Sequence, residues 1–500
     1  MRIDRKCKVF FVSPEVYPFA KTGGLADVAG SLPKALFKIG HEVKVALPFY
    51  KKFFPHNFPL NKLMDIEVPV GGEIKRGTLY QSLIDGRIPV LLFSQEDYFN
   101  REALYGDEHS DFQDNAERFS YFCKAILFAL KKLNWRPDII HCNDWQTALV
   151  PLYLKVFFSR DDFYRKMGTL FTIHNLAYQG IFSQEKLKIM GLGNEFFTMD
   201  TLEFYGKINT MKAGLLYADL ITTVSPTYSS EIQTPEYGCG LDGVLRKRRD
   251  DLYGVLNGID YAEWDPLHDK ELVKNYSVQD IEGKKNNKKF LQKENNFPQV
   301  DVPLVGFISR LAEQKGVDLI VRAIDEMMSL PLQFVVLGTG DARYNRIFEK
   351  IGKKFPQKTG IHIGFDLSMA RGIYAGADIF LMPSGYEPCG LGQMISMRYG
   401  TVPVVRKTGG LADTVKEFDF ARGEGNGFLF EKYSSNEMMD ALKKAIDVYQ
   451  DKDTWIRLVK NGMGNDFSWE GSAREYERIY GIILNKLSSR TSFTIQQAGR

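Results

Sequence analysis

Four stretches of the chain gather side chains able to do chemistry. His141–Thr147 reads HCNDWQT and Thr172–Gly180 reads TIHNLAYQG. A histidine at the end of an apolar run is usually structural, but His174 is followed by Asn175, Tyr178 and Gln179, polar and aromatic groups that suit contact with a sugar. Asp144, beside Trp145, reads the same way, with a helix N-cap as its competing role. Ser309–Gly316, SRLAEQKG, sets Arg310 and Lys315 just past another apolar run. Two cations there suit the release of a diphosphate from a nucleotide sugar; the alternative is a solvated loop. Ser384–Met394, SGYEPCGLGQM, puts Glu387 in a turn and Gly390, Leu391 and Gly392 at a helix start. That arrangement suits a carboxylate gripping sugar hydroxyls beside a nucleotide, with structural capping as the rival role. Leu337–Asp341, LGTGD, adds Gly338 at a weaker glycine-rich strand end.

One heptapeptide occurs twice. KTGGLAD stands at Lys21–Asp27 and again at Lys407–Asp413. Each copy follows a β-rich run and precedes a helical pattern, which places Gly23 and Gly24, and then Thr408, Gly409 and Gly410, at strand-to-helix turns. Glycines let a ligand approach the backbone, and free N–H groups at a helix start attract anions. A packing-driven turn explains a single copy equally well; two copies, one per half, favour two loops facing one anionic ligand. Other chemistries lack their signatures, since there is no G-x-x-x-x-G-K-[ST], G-x-S-x-G or H-E-x-x-H. The D-x-D at Asp451–Asp453 falls in a charged helical pattern, so neither a metal nor a cofactor is expected.

These residues need a scaffold, and the hydrophobic pattern supplies it. Apolar β-rich runs at Val9–Val12, Val43–Pro48, Asp138–Cys142, Thr169–His174 and Leu220–Ser225 alternate with helical patterns, and the alternation resumes at Val305–Ser309, Phe334–Gly338, Ile379–Pro383 and Val402–Arg406. Continuous apolar strands between helices predict an α/β fold with parallel sheets covered on both faces. Two Rossmann-like domains follow, 1–256 and 257–480, with 481–500 as a tail lacking clear periodicity and disordered at its end. The clusters above then sit at carboxyl ends of strands, where such sheets bind ligands. The Lys-rich stretch Gly283–Asn296 reads as a solvated surface segment. The 500 residues carry 65 Lys+Arg against 62 Asp+Glu, a net charge of +3, which gives no electrostatic sign of a nucleic-acid partner. Five scattered cysteines without a C-x-x-C pair, no apolar run of membrane-spanning length and no signal-peptide core predict a cytoplasmic protein with no membrane partner.

From about Val9 to about Tyr480 the sequence closely resembles the glycogen and starch synthase family, retaining glucosyltransferases of the GT-B fold. SPEVYPFAKTGGLADV, TIHNLAYQG, LNGID, SRLAEQKG, YEPCGLGQM and RKTGGLADTV occur in family order. The resemblance implies two Rossmann-like domains facing a central cleft, an acceptor-side domain first and a donor-side domain second. It implies transfer of glucose from ADP-glucose to the non-reducing end of an α-1,4-glucan such as glycogen, with retention and without metal. By motif, Lys21 would meet the donor diphosphate region, Arg310 and Lys315 the departing ADP, and Glu387 the glucose hydroxyls. His174 would sit beside the transferred glucose and Asp144 near the reaction centre. Asn257 of LNGID is a further donor-site candidate, and Tyr105 of LYGD touches the acceptor, for which Tyr178 and Gln179 are the other candidates. Relatives carry a second glutamate eight positions after the first, where this chain has Ile395, and often a threonine at the position of Gly392. A ribose contact from that glutamate must therefore come from elsewhere. UDP-glucose as donor, an inert glucan-binding protein of this fold and a phosphorylase-type enzyme are the competing readings.

Overall fold

The computed structural model describes residues 6–107 and 110–498. The chain forms two compact units: one takes the chain to Val224, then Ser229–Gly258 and the stretch from Trp469, and the other takes Ser225–Tyr228 and Ile259–Ser468.

The first unit is built on nine strands in the order Leu252–Gly254, Leu220–Thr223, Gly168–Ile173, Ile139–Asn143, Lys8–Val12, Glu42–Pro48, Ile88–Ser94, Glu73–Ile84, Asn61–Val70. The first seven pair in parallel. Their central members are buried along almost their whole length, as FFV and IIHCN require of strands covered on both faces. The chain starts mid-sheet at Lys8–Val12, builds outward through Glu42–Pro48, then crosses back to Ile139–Asn143, which lies against the other side of the first strand. That reversal opens a crevice at the carboxyl ends of Lys8–Val12 and Ile139–Asn143.

An antiparallel edge hairpin lies outside the apolar runs. Its strand Asn61–Val70 alternates buried Ile66, Val68 and Val70 with exposed neighbours, the period-2 pattern of a half-covered sheet, and pairs with Glu73–Ile84. Gly71 (φ 62°) and Gly72 (φ 87°) make the turn, both in the left-handed region that a two-residue hairpin loop demands.

The C-terminal residues correct the expected boundary. Trp469–Ala498 is one helix, and it belongs to the first unit rather than the second. Tyr476, Ile479, Tyr480 and Ile483, spaced as one helix face, are fully buried, and Tyr480 hydroxyl bonds His141 Nδ1 at 2.8 Å in the central sheet. The expected disordered tail is thus helical through Ala498; its last two residues lie outside the described residues. Among the described residues no helix is long and apolar enough to cross a membrane.

The second unit has six strands, all parallel, in the order Thr359–Ile363, Gln333–Gly338, Leu304–Ile308, Ile379–Met382, Val402–Arg406, Phe428–Phe430. It repeats the centre-outward, cross-back plan, with its reversal between Leu304–Ile308 and Ile379–Met382. The Lys-rich stretch here is another correction. It forms the helix Glu282–Glu294, and Lys284 is buried, donating to the carbonyls of Ala375 and Tyr399 at 3.0 Å each and to Thr401 Oγ1 at 2.7 Å. A cation suits helix C-terminal carbonyls, and burial, opposed by Asp378, pushes the Lys284 ammonium down to about 7. Lys288 pairs with Asp378 at 2.6 Å; Lys285, Lys289 and Lys293 remain exposed. Asp451 of the D-x-D caps the helix Lys452–Met463 by accepting from Thr454 N–H and hydroxyl, a structural role.

Candidate active site

At the reversal of the first sheet, Asn143 and Asp144 leave the strand Ile139–Asn143 beside His174, which leaves Gly168–Ile173. Asn143 Nδ2 donates to the carbonyls of Val12 (2.9 Å) and His141 (3.3 Å), which fixes its amide oxygen toward His174 Nε2 at 2.9 Å. His174 Nε2 therefore carries the proton and Nδ1 keeps its lone pair. Burial holds the imidazole neutral, its pKa pushed down to about 3. Asp144 makes no side-chain cap on the turn that follows it, so the competing role is not the one realised. Its carboxylate accepts from His174 N–H at 2.7 Å. Burial, reinforced by the Glu15 charge and opposed by the His174 and Asn175 N–H groups, lifts it to about 7. Its backbone, φ 55° and ψ 176°, lies in a region almost reserved for glycine and costs about 1–3 kcal/mol. Trp145, by contrast, is core: it packs edge-on against Phe119 and Phe182.

Glu15, part of a motif above but assigned no role there, joins this group. It is buried, and its carboxylate accepts from Thr22 N–H (2.5 Å), Gly23 N–H (3.2 Å), Thr22 hydroxyl (2.6 Å) and Tyr105 hydroxyl (2.8 Å). Two N–H groups assigned to a ligand anion at the first KTGG turn are thus bonded to a residue of the chain. Lys21 pairs with Asp27 at 2.6 Å. Of the acceptor candidates, Tyr105 commits its hydroxyl proton to Glu15, Tyr178 is exposed, and Gln179 is consumed internally. Gln179 donates to the carbonyls of Leu176 and Cys239 and accepts from Asn209; a buried amide so engaged holds its loop rather than a substrate. Asn257 is buried with its amide oxygen lacking a hydrogen bond among the described residues, an unmet acceptor.

In the second unit the carboxyl ends of Leu304–Ile308 and Ile379–Met382 bring Lys315 and Glu387 together. The Glu313–Lys315 turn is fastened to the turn after Met382: Gly385 N–H donates to Gln314 carbonyl at 2.8 Å, and Gly316 (φ 72°) lies where a Cβ would stand 2.1 Å from the Pro383 carbonyl. Lys315 Nζ then reaches Glu387 Oε2 at 2.6 Å, and Ser384 hydroxyl donates to the same oxygen at 3.0 Å. Among the described residues no hydrogen bond reaches Oε1. Arg310 is exposed, its guanidinium 3.4 Å from Gln314 Oε1. Arg310, Lys315, Ser384, Glu387, Gly390 and Leu391 border a cavity of about 230 Å³ whose inner wall includes Phe307 and Tyr374. Ile395, where a second glutamate was absent, is core.

The two KTGGLAD copies differ in physical role. The first turn is exposed and a Cβ on Gly23 meets nothing within 4 Å. The second is buried against the Glu387 turn: Gly410 N–H donates to Glu387 carbonyl at 3.1 Å, and a Cβ on Gly409 (φ 44°) or Gly410 would lie 1.9 or 2.0 Å from the carbonyls of Glu387 and Cys389. Thr408 is buried beside them. There the packing reading holds, not a symmetrical pair of ligand loops. Gly338 likewise is required by the Ser309 carbonyl, 1.9 Å from its would-be Cβ. Gly23→Ala should therefore leave the melting temperature unchanged, any loss appearing in donor KM. Gly409→Ala should lower stability by several kcal/mol, about the cost of strain plus a buried clash. Thermal melts beside donor titrations of both variants check this.

Residues 8–247 match the starch synthase catalytic domain family and residues 288–461 the glycosyl transferases group 1 family. The chain is 49% identical over 506 residues to a glycogen synthase of Desulforudis audaxviator, covering 98% of this chain and 99% of that one. It is 50% identical over 479 residues to a glycogen synthase of Geotalea uraniireducens, covering 95% and 99%. The solved catalytic domain of starch synthase IV from Arabidopsis thaliana, bound to ADP and acarbose, superposes with a TM-score of 0.89 at 35% identity, covering 96% of this chain and all of that one. With two sheets of Rossmann order, clusters at both reversals and full-length identity near one half, the fold is GT-B and the chain belongs to the glycogen synthase family of glycosyltransferases.

Proposed function

We propose that the protein transfers glucose from ADP-glucose to the non-reducing end of an α-1,4-glucan, with retention, extending glycogen. The observation that carries the donor half of this reading is the Lys315–Glu387 pair on a cavity bordered by Arg310. A diphosphate entering there gains two cations, and Glu387 Oε1 is left to accept from sugar hydroxyls. Phe365, 87% exposed just past the strand Thr359–Ile363, offers a face on which a nucleotide base stacks. The ADP in the starch synthase IV structure supports adenine as that base.

As the bond from the glucose anomeric carbon to the β-phosphate oxygen breaks, Lys315 and Arg310 meet the charge growing on ADP. The acceptor hydroxyl attacks the same face, its oxygen bonds the anomeric carbon, and its proton passes to the departing phosphate oxygen. His174, neutral and donating through Nε2 to Asn143, presents Nδ1 as an acceptor for a glucose hydroxyl. Because side chains meet the leaving-group charge, the reaction proceeds without metal. Nucleotide release with glycogen present, using ADP-glucose and UDP-glucose in turn with and without EDTA, tests this. ADP release that incorporates glucose into glycogen and survives EDTA is expected. Release only from UDP-glucose overturns the donor assignment, and glycogen binding without release overturns the enzymatic one.

A further inference from the structure

An ionised carboxylate offers about four acceptor positions, and on Glu15 all four are filled by the chain itself. Oε2 takes the N–H groups of Thr22 and Gly23, and Oε1 takes the hydroxyls of Thr22 and Tyr105. A group so saturated has no vacancy for a sugar hydroxyl, and it stands where the start of the Gly24–Lys38 helix would otherwise hold an anion. We infer that Glu15 is a positioning residue of the transfer reaction, acting as the built-in anion that sets the exposed KTGG turn and the Tyr105 loop against the His174–Asp144 centre. The inference rests on the glucosyl-transfer reading above.

Three consequences follow from the geometry. The first KTGG turn does not cradle the diphosphate with the N–H groups of Thr22 and Gly23, since a phosphate there would meet the Glu15 charge. What this turn leaves for a ligand is the open Gly23 and the Lys21 ammonium, which rests on Asp27. Tyr105, half-buried, with its hydroxyl proton committed, contributes its ring and oxygen lone pairs rather than an acid. Glu15 also biases Asp144: Arg118, Tyr50, Tyr105, His174 and His141 are the other charged or titratable groups around this pocket, and after burial the Glu15 charge is what raises Asp144, against the His174 and Asn175 N–H groups.

Glu15→Gln isolates the charge. The glutamine oxygen can serve the two N–H groups while its NH₂ donates to the two hydroxyls, which can turn to accept, so the turn is retained. The expected result is a melting temperature near wild type, donor KM within about twofold, kcat lower by about tenfold, and the acid limb of the pH–kcat profile moved to lower pH. Glu15→Ala, which strands all four donors, should lose stability as well, and Glu15→Asp should not restore kcat because its shorter arm cannot reach both sides. Wild-type kcat and an unmoved profile in Glu15→Gln, or a loss matching only its unfolded fraction, overturns the inference. A wild-type protein that transfers no glucose overturns the underlying reading instead, so the two failures are distinguishable.

Discussion

Lys315→Ala is expected to lower kcat by about 10²-fold or more at saturating donor, the usual cost of removing one placed charge from a developing anion. Lys315 is held by the fastened Glu313–Lys315 turn, and its resting partner is Glu387 at 2.6 Å. The ammonium is therefore already in place and needs only to shift from one anion to another as ADP departs. The substitution has a second effect. Glu387, with a side chain only 8% exposed, would keep Ser384 as its one remaining donor among the described residues, and an uncompensated buried charge costs about 3–5 kcal/mol. The double variant Lys315→Ala, Glu387→Gln separates the two effects: stability should return while turnover does not. Wild-type turnover in the single variant removes Lys315 from the mechanism.

Asp144→Asn should cost about 10²-fold in kcat and remove a pH dependence of stability. Folding raises the Asp144 carboxyl from 3.8 to about 7, so between those values the folded chain holds a proton that the unfolded chain has released. Stability contributed by this group is then full below about pH 4 and is lost as pH rises to about 7, a penalty of about 4 kcal/mol. Asparagine does not titrate. Urea unfolding should therefore show the variant gaining on wild type from pH 5 to pH 8, while the wild-type kcat limb near pH 7 disappears. A difference independent of pH would show that Asp144 is ionised throughout.

Much of this architecture is legible in the sequence because buried parallel strands are apolar along their whole length. The runs at Val9–Val12, Val305–Ser309 and Val402–Arg406 lie within one residue of the strands that form. The edge hairpin required attention to period 2 and to the Gly71–Gly72 pair instead. The C-terminal helix splits the expected division, 469–480 falling in the second domain and 481–500 in a tail, because nothing in the chain names the surface that a distant segment covers. Lys284 escaped for a related reason, since a lysine is read as solvated until three carbonyl and hydroxyl acceptors are seen to converge on it.

Residue types and order alone determined two Rossmann-like units, the clusters at their strand ends and the family. Only the tertiary structure decided which glycines face open space and which face a carbonyl, since identical KTGG turns read alike until their neighbours are known. It also decided that Glu15 and Asn143 organise the cluster of the first unit and the Lys315–Glu387 pair that of the second. Each depends on a hydrogen-bond partner far along the chain, Tyr105 90 positions from Glu15, Val12 131 from Asn143 and Glu387 72 from Lys315, a distance that chain periodicity does not encode.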